Sequence, residues 1–249
     1  MMLIRFKLLT FALFFISYCW LGAVRKGLPP NDGGAIRRLP QALEVKTLSL
    51  NPEYCVFGLP AKGGGGKLPM LIYLHGAGGV GSDINKARRQ ASSLVGPLKQ
   101  AKIASLVVAP QATKSPRREG AKAGWQVGDL DILLGHLLKS LPADPDRVYL
   151  TGNSMGGYGT FMWAGYSPQH FAAIAPMVGG LGPLGPKDVT KDGVVPADRG
   201  EMILKEITKA GGKQAKVIVL PDMGHNAGKV PHGDPDFYKW LYGNKRQRK

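Results

Sequence analysis

Cysteine is almost missing from this chain of 249 residues, with Cys19 and Cys55 the only two. Cys19 lies in an N-terminal stretch built like a secretory leader. Once that stretch is removed Cys55 stands alone, and an internal disulfide framework is excluded. Acidic side chains are also scarce: 17 Asp and Glu face 33 Lys and Arg, for a formal charge of +16, or +14 without Arg5 and Lys7. No aromatic residues interleave with the basic ones as base stacking on nucleic acid would want, so the excess reads as a solvated surface able to contact acidic glycans or an anionic membrane. Its densest points are Arg88-Arg89, Arg117-Arg118 and the tail Lys245-Arg246-Gln247-Arg248-Lys249. Internal repeats are absent, and the one low-complexity stretch, Gly63 to Gly66, reads as a hairpin tip. The longest apolar run, Leu8 to Leu21, is short of the ~20 residues a membrane span needs. With Arg5 and Lys7 before it and Gly22-Ala23 after it, the run reads as a signal peptide cleaved near Ala23, which implies a secreted or periplasmic protein. An uncleaved anchor is the alternative.

What remains is ordinary globular material, 44% hydrophobic and 20% charged, in a length that suits one domain with its own core. The expected layout is a signal peptide over 1–23, a Pro- and Gly-rich linker over 24–43, a domain over 44–244 and the basic tail over 245–249. Val45 to Leu50 and Tyr54 to Leu59 read as paired edge strands around Asn51-Pro52, and Leu68 to Leu74 as a buried strand. From there helices and strands alternate: a helical stretch from Ser82-Asp83 to Lys102, a strand Ala104 to Ala109 stopped by Pro110, a helix Asp129 to Leu141, and a strand Arg147 to Thr151. A helix Met155 to Tyr166, a strand Phe171 to Val178, a helix Ala197 to Ala210, a last strand Ala215 to Leu220 and a closing helix near Phe237 to Leu241 follow. This order predicts an α/β fold with a mostly parallel central sheet flanked by helices. Active sites of such sheets collect at the carboxyl ends of the strands.

At one of those ends stands Gly152-Asn153-Ser154-Met155-Gly156-Gly157, directly after a predicted strand and opening a predicted helix. That context makes a G-x-S-x-G match meaningful, because a tight strand-to-helix turn exposes the serine oxygen. The glycines supply backbone freedom, and the Met155 amide at the helix start points toward an oxyanion beside Ser154. The bland reading is a tightly packed or phosphate-binding turn. A second motif weighs against it: His75-Gly76-Ala77-Gly78-Gly79 follows the buried strand ending at Leu74, where the other oxyanion donor, Ala77 or Gly78, belongs. His75 itself reads as loop-shaping.

Asp146-Arg147-Val148-Tyr149-Leu150-Thr151-Gly152 running into Ser154-Met155-Gly156-Gly157 resembles the nucleophile strand and elbow of the α/β-hydrolase superfamily. The resemblance is to the secreted esterases related to polyhydroxybutyrate depolymerases, feruloyl and acetylxylan esterases, and prolyl oligopeptidase-like hydrolases. It covers roughly Leu68 to Gly228 and implies ester hydrolysis through an acyl-enzyme, without a cofactor. It also implies a general base in the loop after the last strand, where Pro221-Asp222-Met223-Gly224-His225-Asn226 stands, so His225 is the candidate base and His136, His170 and His232 are not.

Lys191-Asp192-Gly193-Val194-Val195-Pro196 resembles the segment that carries the acid, making Asp192 the candidate, with Asp188 next and Asp198 and Asp222 behind. Here the chain departs from the family, since no strand fits between Gly180 and Lys191 and the sheet is expected one strand short before the acid loop. Trp125 and Tyr158 are candidate pocket residues or core. The expected activity is exported serine carboxylesterase action on small or polymer-linked esters. A catalytically impaired binding protein at the cell envelope and a serine peptidase are the alternatives.

Overall fold

The structure is a computed structural model that describes residues 33–61, 66–114, 124–180, 198–211, 214–220 and 223–246. Among these, strands β1 Ala35–Arg38, β2 Leu50–Phe57, β3 Leu68–Leu74, β4 Leu106–Ala112, β5 Ala143–Asn153 and β6 Ala173–Met177 form one sheet in the order β1-β2-β4-β3-β5-β6. From β4 to β6 the strands run parallel; β1 and β2 extend the other edge antiparallel. The helices are α1 Gln41–Glu44, α2 Ile84–Ser92, α3 Val95–Gln100, α4 Val127–Ser140, α5 Met155–Tyr166, α6 Asp198–Lys209, α7 Lys229–Gly233 and α8 Pro235–Tyr242. Among the described residues no helix is long and apolar enough to cross a membrane.

β3 is apolar without a break because both of its faces are covered, and strand periodicity divides its side chains between two cores. Met70, Ile72 and Leu74 join Val148 and Leu150 of β5 under α4 and α5, which contribute Leu130, Leu133, Leu134, Leu137 and Trp163. Those four α4 leucines recur at the three- and four-residue spacing of one helix face. Leu71 and Tyr73 point the other way, to Ala91, Leu94 and Leu98 from the α2 and α3 stretch and Tyr238 and Leu241 of α8. Truncating a leucine as enclosed as Leu133 costs about 2–5 kcal/mol.

The mostly parallel sheet between helices is the expected architecture, and α5 has the predicted bounds. Several local expectations need correction. The segment read as a linker already holds β1, paired with β2 from Ala35↔Val56 to Arg38↔Glu53, and α1, so the fold begins before residue 44. Val45 to Leu50 is not an edge strand. The Leu48 and Ser49 amides that a ladder would use donate instead to the buried Asp129 carboxylate, at 2.8 and 2.7 Å.

β2 runs through Pro52, where its register against β4 shifts between Leu50 and Tyr54; an irregularity of this kind tolerates the missing N–H. Pro110 likewise lies inside β4, beyond Val108, the last residue that β4 pairs with β3. β2 and β3 are separated by β4, so the glycine-rich connection between them is not a hairpin. The stretch from Ser82 divides into α2, capped by Asp83, and α3.

Ala215 to Leu220 forms no strand. Ile218 and Val219 are 62% and 45% exposed, and β6 ends the sheet among the described residues, so this apolar run pairs with no described strand. The leader, Arg117-Arg118, the segment with Asp188 and Asp192, Asp222 and the last three tail residues lie outside the described residues.

Candidate active site

Because β3, β5 and β6 are parallel, the chain leaves all three at the same edge of the sheet. The turn after β5 is the sharpest. Ser154 sits at φ 58 and ψ −118, a conformation that costs an L-residue on the order of 1–3 kcal/mol and persists only when its surroundings enforce it. They do: Ser154 N–H donates to Met177 O at 3.0 Å, and Ser154 O accepts from Tyr158 N–H at 3.0 Å as α5 begins.

The backbone freedom expected of Gly152 and Gly156 is not used for a positive φ; what they contribute is space. A side-chain carbon on Gly156 would overlap Leu74 O, and one on Gly152 would stand 2.7 Å from the same oxygen. Gly157 makes a similar close approach to Met177 O. These glycines let α5 start against the ends of β3 and β6, and the strain falls on the serine.

The loop after β3 lies beside the elbow, so close that a side chain on Gly76 would stand 3.1 Å from Asn153 O and 3.5 Å from Ser154 Cβ. Ala77–Gly79 forms a single 3-10 turn closed by Val80 N–H to Ala77 O at 3.1 Å. Ala77 and Gly78 are exposed. Met155 is the first residue of α5, and amides in a first turn have no intrahelical partner.

His75 holds this loop in place. It is fully buried, with Nδ1 2.7 Å from Gly76 O and Nε2 accepting from Ala112 N–H at 3.0 Å, an arrangement that requires a neutral ring protonated on Nδ1. Burial pushes its pKa down to about 4. With both nitrogens engaged it shapes the loop, as its position suggested. Trp125 is core and not pocket: it is buried against Gly159, and its indole N–H donates to His75 O at 3.2 Å.

His225 lies in a turn that returns to the elbow, and its Nε2 is 2.7 Å from Ser154 Oγ. Neither residue is fully buried, so a substrate can reach the pair. The serine and histidine singled out in sequence are therefore within hydrogen-bonding reach, next to the loop bearing Ala77 and the helix start bearing Met155.

A family comparison bears on the same residues: the family model for Esterase matches residues 50–241, most of the chain. The chain belongs to the Esterase family. Among solved structures it is similar to a thermostable esterase, with a TM-score of 0.61 and 26% identity over 78% of this chain; the match covers 59% of that protein's length. A CE1 ferulic acid esterase from Anaeromyces mucronatus, solved with ferulic acid, has a TM-score of 0.61 at 12% identity, covering 89% of this chain and 93% of that one. Another ferulic acid esterase gives 0.56 at 16% identity, covering 84% and 96%. The last two likenesses show the α/β-hydrolase fold. No curated protein matches the chain.

In this esterase-family chain the remaining histidines have structural partners. His136 is 3.0 Å from Tyr54 Oη, and His170 is 3.5 Å from Asp131. His232 is buried with Nε2 2.9 Å from Thr151 Oγ1, whose own hydroxyl proton is donated to Ala175 O at 2.5 Å, so the ring donates to the threonine. Asp198 is exposed at the start of α6. Among the described residues no group of three His, Cys, Asp or Glu side chains is arranged to hold a metal. Sequence reasoning missed the part played by Thr151, Asn153 and Gly228, which tie the turn bearing His225 to β5. The strand and elbow motifs contain Thr151 and Asn153 but do not reveal these contacts, which join segments far apart in the chain.

Proposed function

We propose that this chain is an exported serine carboxylesterase. The observation that carries the reading is the 2.7 Å approach of His225 Nε2 to Ser154 Oγ on a strained elbow. A neutral imidazole accepts the hydroxyl proton as Oγ attacks the ester carbonyl carbon, and the same proton passes to the departing alcohol. Water, deprotonated by His225, then adds to the acyl carbonyl carbon; the bond from that carbon to Oγ breaks, and the imidazolium returns its proton to Oγ as the acid leaves. The Ala77 and Met155 amides hold the oxygen that becomes negative in both steps.

Asp192 is assigned to hold the imidazole with its proton on Nδ1, ahead of Asp188. Esters of aromatic acids, of sugars or of polyester-like polymers are the substrate class. The likeness to a protein solved with ferulic acid supports aromatic acyl groups first. Residues 1–23 are assigned to a cleaved leader, which N-terminal sequencing of the exported protein tests.

The decisive experiment pairs pH-stat hydrolysis of p-nitrophenyl acetate with fluorophosphonate labelling. Wild-type protein is expected to hydrolyse the ester and label at Ser154, and Ser154→Ala to do neither. A wild-type protein that does not label overturns the reading. Asp192→Asn and Asp188→Asn, compared by kcat, identify the acid.

A further inference from the structure

Asn153 ends β5 one residue before the nucleophile. Its Oδ1 is shielded from solvent and has no hydrogen-bond partner among the described residues. Leaving a buried carbonyl oxygen unsatisfied is unfavourable, and such an atom asks for an explanation. The backbone of Gly228 lies against it: a side-chain carbon there would overlap Asn153 Oδ1 and stand 2.8 Å from Met177 Cβ. Only the hydrogen that glycine carries in that place fits, directed toward the amide oxygen in the manner of a weak Cα–H contact.

Gly228 closes the turn that starts at His225. Ala227 N–H donates to Gly224 O and Lys229 N–H to Asn226 O, each at 2.9 Å, and these bonds brace the turn. The turn is then fastened to β5 at two points. One is His232 of α7 on Thr151; the other is Gly228 on Asn153. His225 lies on the far side of the second point, and Ser154 follows Asn153 directly, just past the end of β5. The height at which Gly228 rests on Asn153 therefore sets how far the imidazole stands from the hydroxyl.

We propose that the Asn153 side chain and the bare Cα of Gly228 form a seat that fixes the His225 turn over Ser154, making Asn153 a positioning residue for ester hydrolysis. The inference rests on the serine-esterase reading above and adds what holds the base in register. A side chain at residue 228 lifts the turn. A smaller side chain at residue 153 lets it sink.

The test measures fluorophosphonate labelling of Ser154 across pH, and kcat and KM for p-nitrophenyl acetate, in the full chain. Gly228→Ala is expected to slow labelling and kcat about tenfold, equivalent to ~1.4 kcal/mol, with KM nearly unchanged and the pH midpoint of labelling displaced. Adding Asn153→Ala to Gly228→Ala should recover part of the loss by vacating the space under the new methyl group. A Gly228→Ala protein that matches wild type overturns the proposal, as does a double variant no faster than Gly228→Ala.

Should Gly228→Ala fail to fold by near-ultraviolet circular dichroism, Asn153→Ala alone decides. A lowered kcat with a displaced pH midpoint and an unchanged Tm supports the seat, and wild-type kinetics overturn it. Wild-type protein that never labels defeats the esterase reading itself, whereas labelling wild-type protein with unaffected variants defeats only the seat.

Discussion

The two halves of the candidate site are built to different standards. On the nucleophile side Leu74, Thr151, Gly152, Gly156, Gly157, Thr160 and Trp163 are all buried, and backbone approaches at Gly152, Gly156 and Gly157 leave no room for one added carbon. On the base side α6 buries no residue, the run 215–220 makes no ladder, and His225 is partly exposed. The strained serine is thus enforced by the same packing that holds the domain together, while the histidine is delivered by a turn that, among the described residues, meets β5 at Thr151 and Asn153. Stability and catalysis should therefore come apart on the base side and fail together on the nucleophile side.

The sharpest way to break that contrast is His225→Ala. Loss of the proposed base is expected to lower kcat on the order of 10⁴ to 10⁶. The lower figure is already about 5.5 kcal/mol of transition-state stabilisation. Because the ring is partly exposed and buries little, Tm should move by less than about 3 °C, no more than a loss of about 1 kcal/mol produces in a domain of this size. A Tm drop several times larger would mean that the base-side turn is as structural as the elbow.

Gly156→Ala tests the other half. Its methyl group meets Leu74 O, an immovable backbone atom, and the expected loss is about 3 kcal/mol in a urea titration, with activity falling in parallel. A Gly156→Ala protein as stable as wild type would show that the ends of β3 and α5 yield more easily than their packing implies.

The same division governs what the sequence made legible. The elbow is a local pattern: β5 hands over to α5 within six residues, and the glycines needed for close approach are written beside the serine. Hence Ser154 and the bounds of α5 are readable without coordinates. His225 was legible only through its place after the last strand-like run, and that run proved to have no partner in the sheet. His225 nevertheless stands 2.7 Å from Ser154 Oγ, because a turn at that point in the chain reaches the elbow whether or not a ladder precedes it. The apolar pattern of Val45 to Leu50 misled for a related reason. Period-two alternation predicts which side chains turn inward, and here it fails: Val45 is exposed while Thr47 and Ser49 are buried, and the Leu48 and Ser49 amides are claimed by Asp129. Long-range partners such as Asn153 with Gly228 leave no trace in local pattern.

A smaller effect sharpens the contrast through pH. Burial holds both His75 and His232 neutral, with pKa values of about 4 against an ordinary 6.5. Between pH 6.5 and 4 the unfolded chain takes up protons that the folded rings do not, so stability is complete above pH 6.5, declines as pH falls toward 4, and then levels off with respect to these two groups. Each ring accounts for at most about 3 kcal/mol of the decline. Urea midpoints measured at pH 7, 5.5 and 4.5 should fall steadily, and His232→Gln, which keeps a donor for Thr151, should flatten the slope. An unchanged slope in that variant would mean that the ring gains a proton without unfolding its surroundings.

The smallest effect belongs to the exposed run on the base side. Ile218 is the most exposed of its large apolar residues, and Ile218→Lys removes surface that is already in contact with water. The hydrophobic contribution scales with area taken out of solvent, so the substitution should alter stability by no more than about 0.5 kcal/mol, and kcat should be unaffected. The measurement is informative because the sequence alone argues the opposite: in a buried last strand, the same substitution would strand a charge in the core and cost several kcal/mol. A urea titration in which the Ile218→Lys protein loses that much would restore Ala215 to Leu220 to the sheet and extend to the base side the rigidity seen around the elbow.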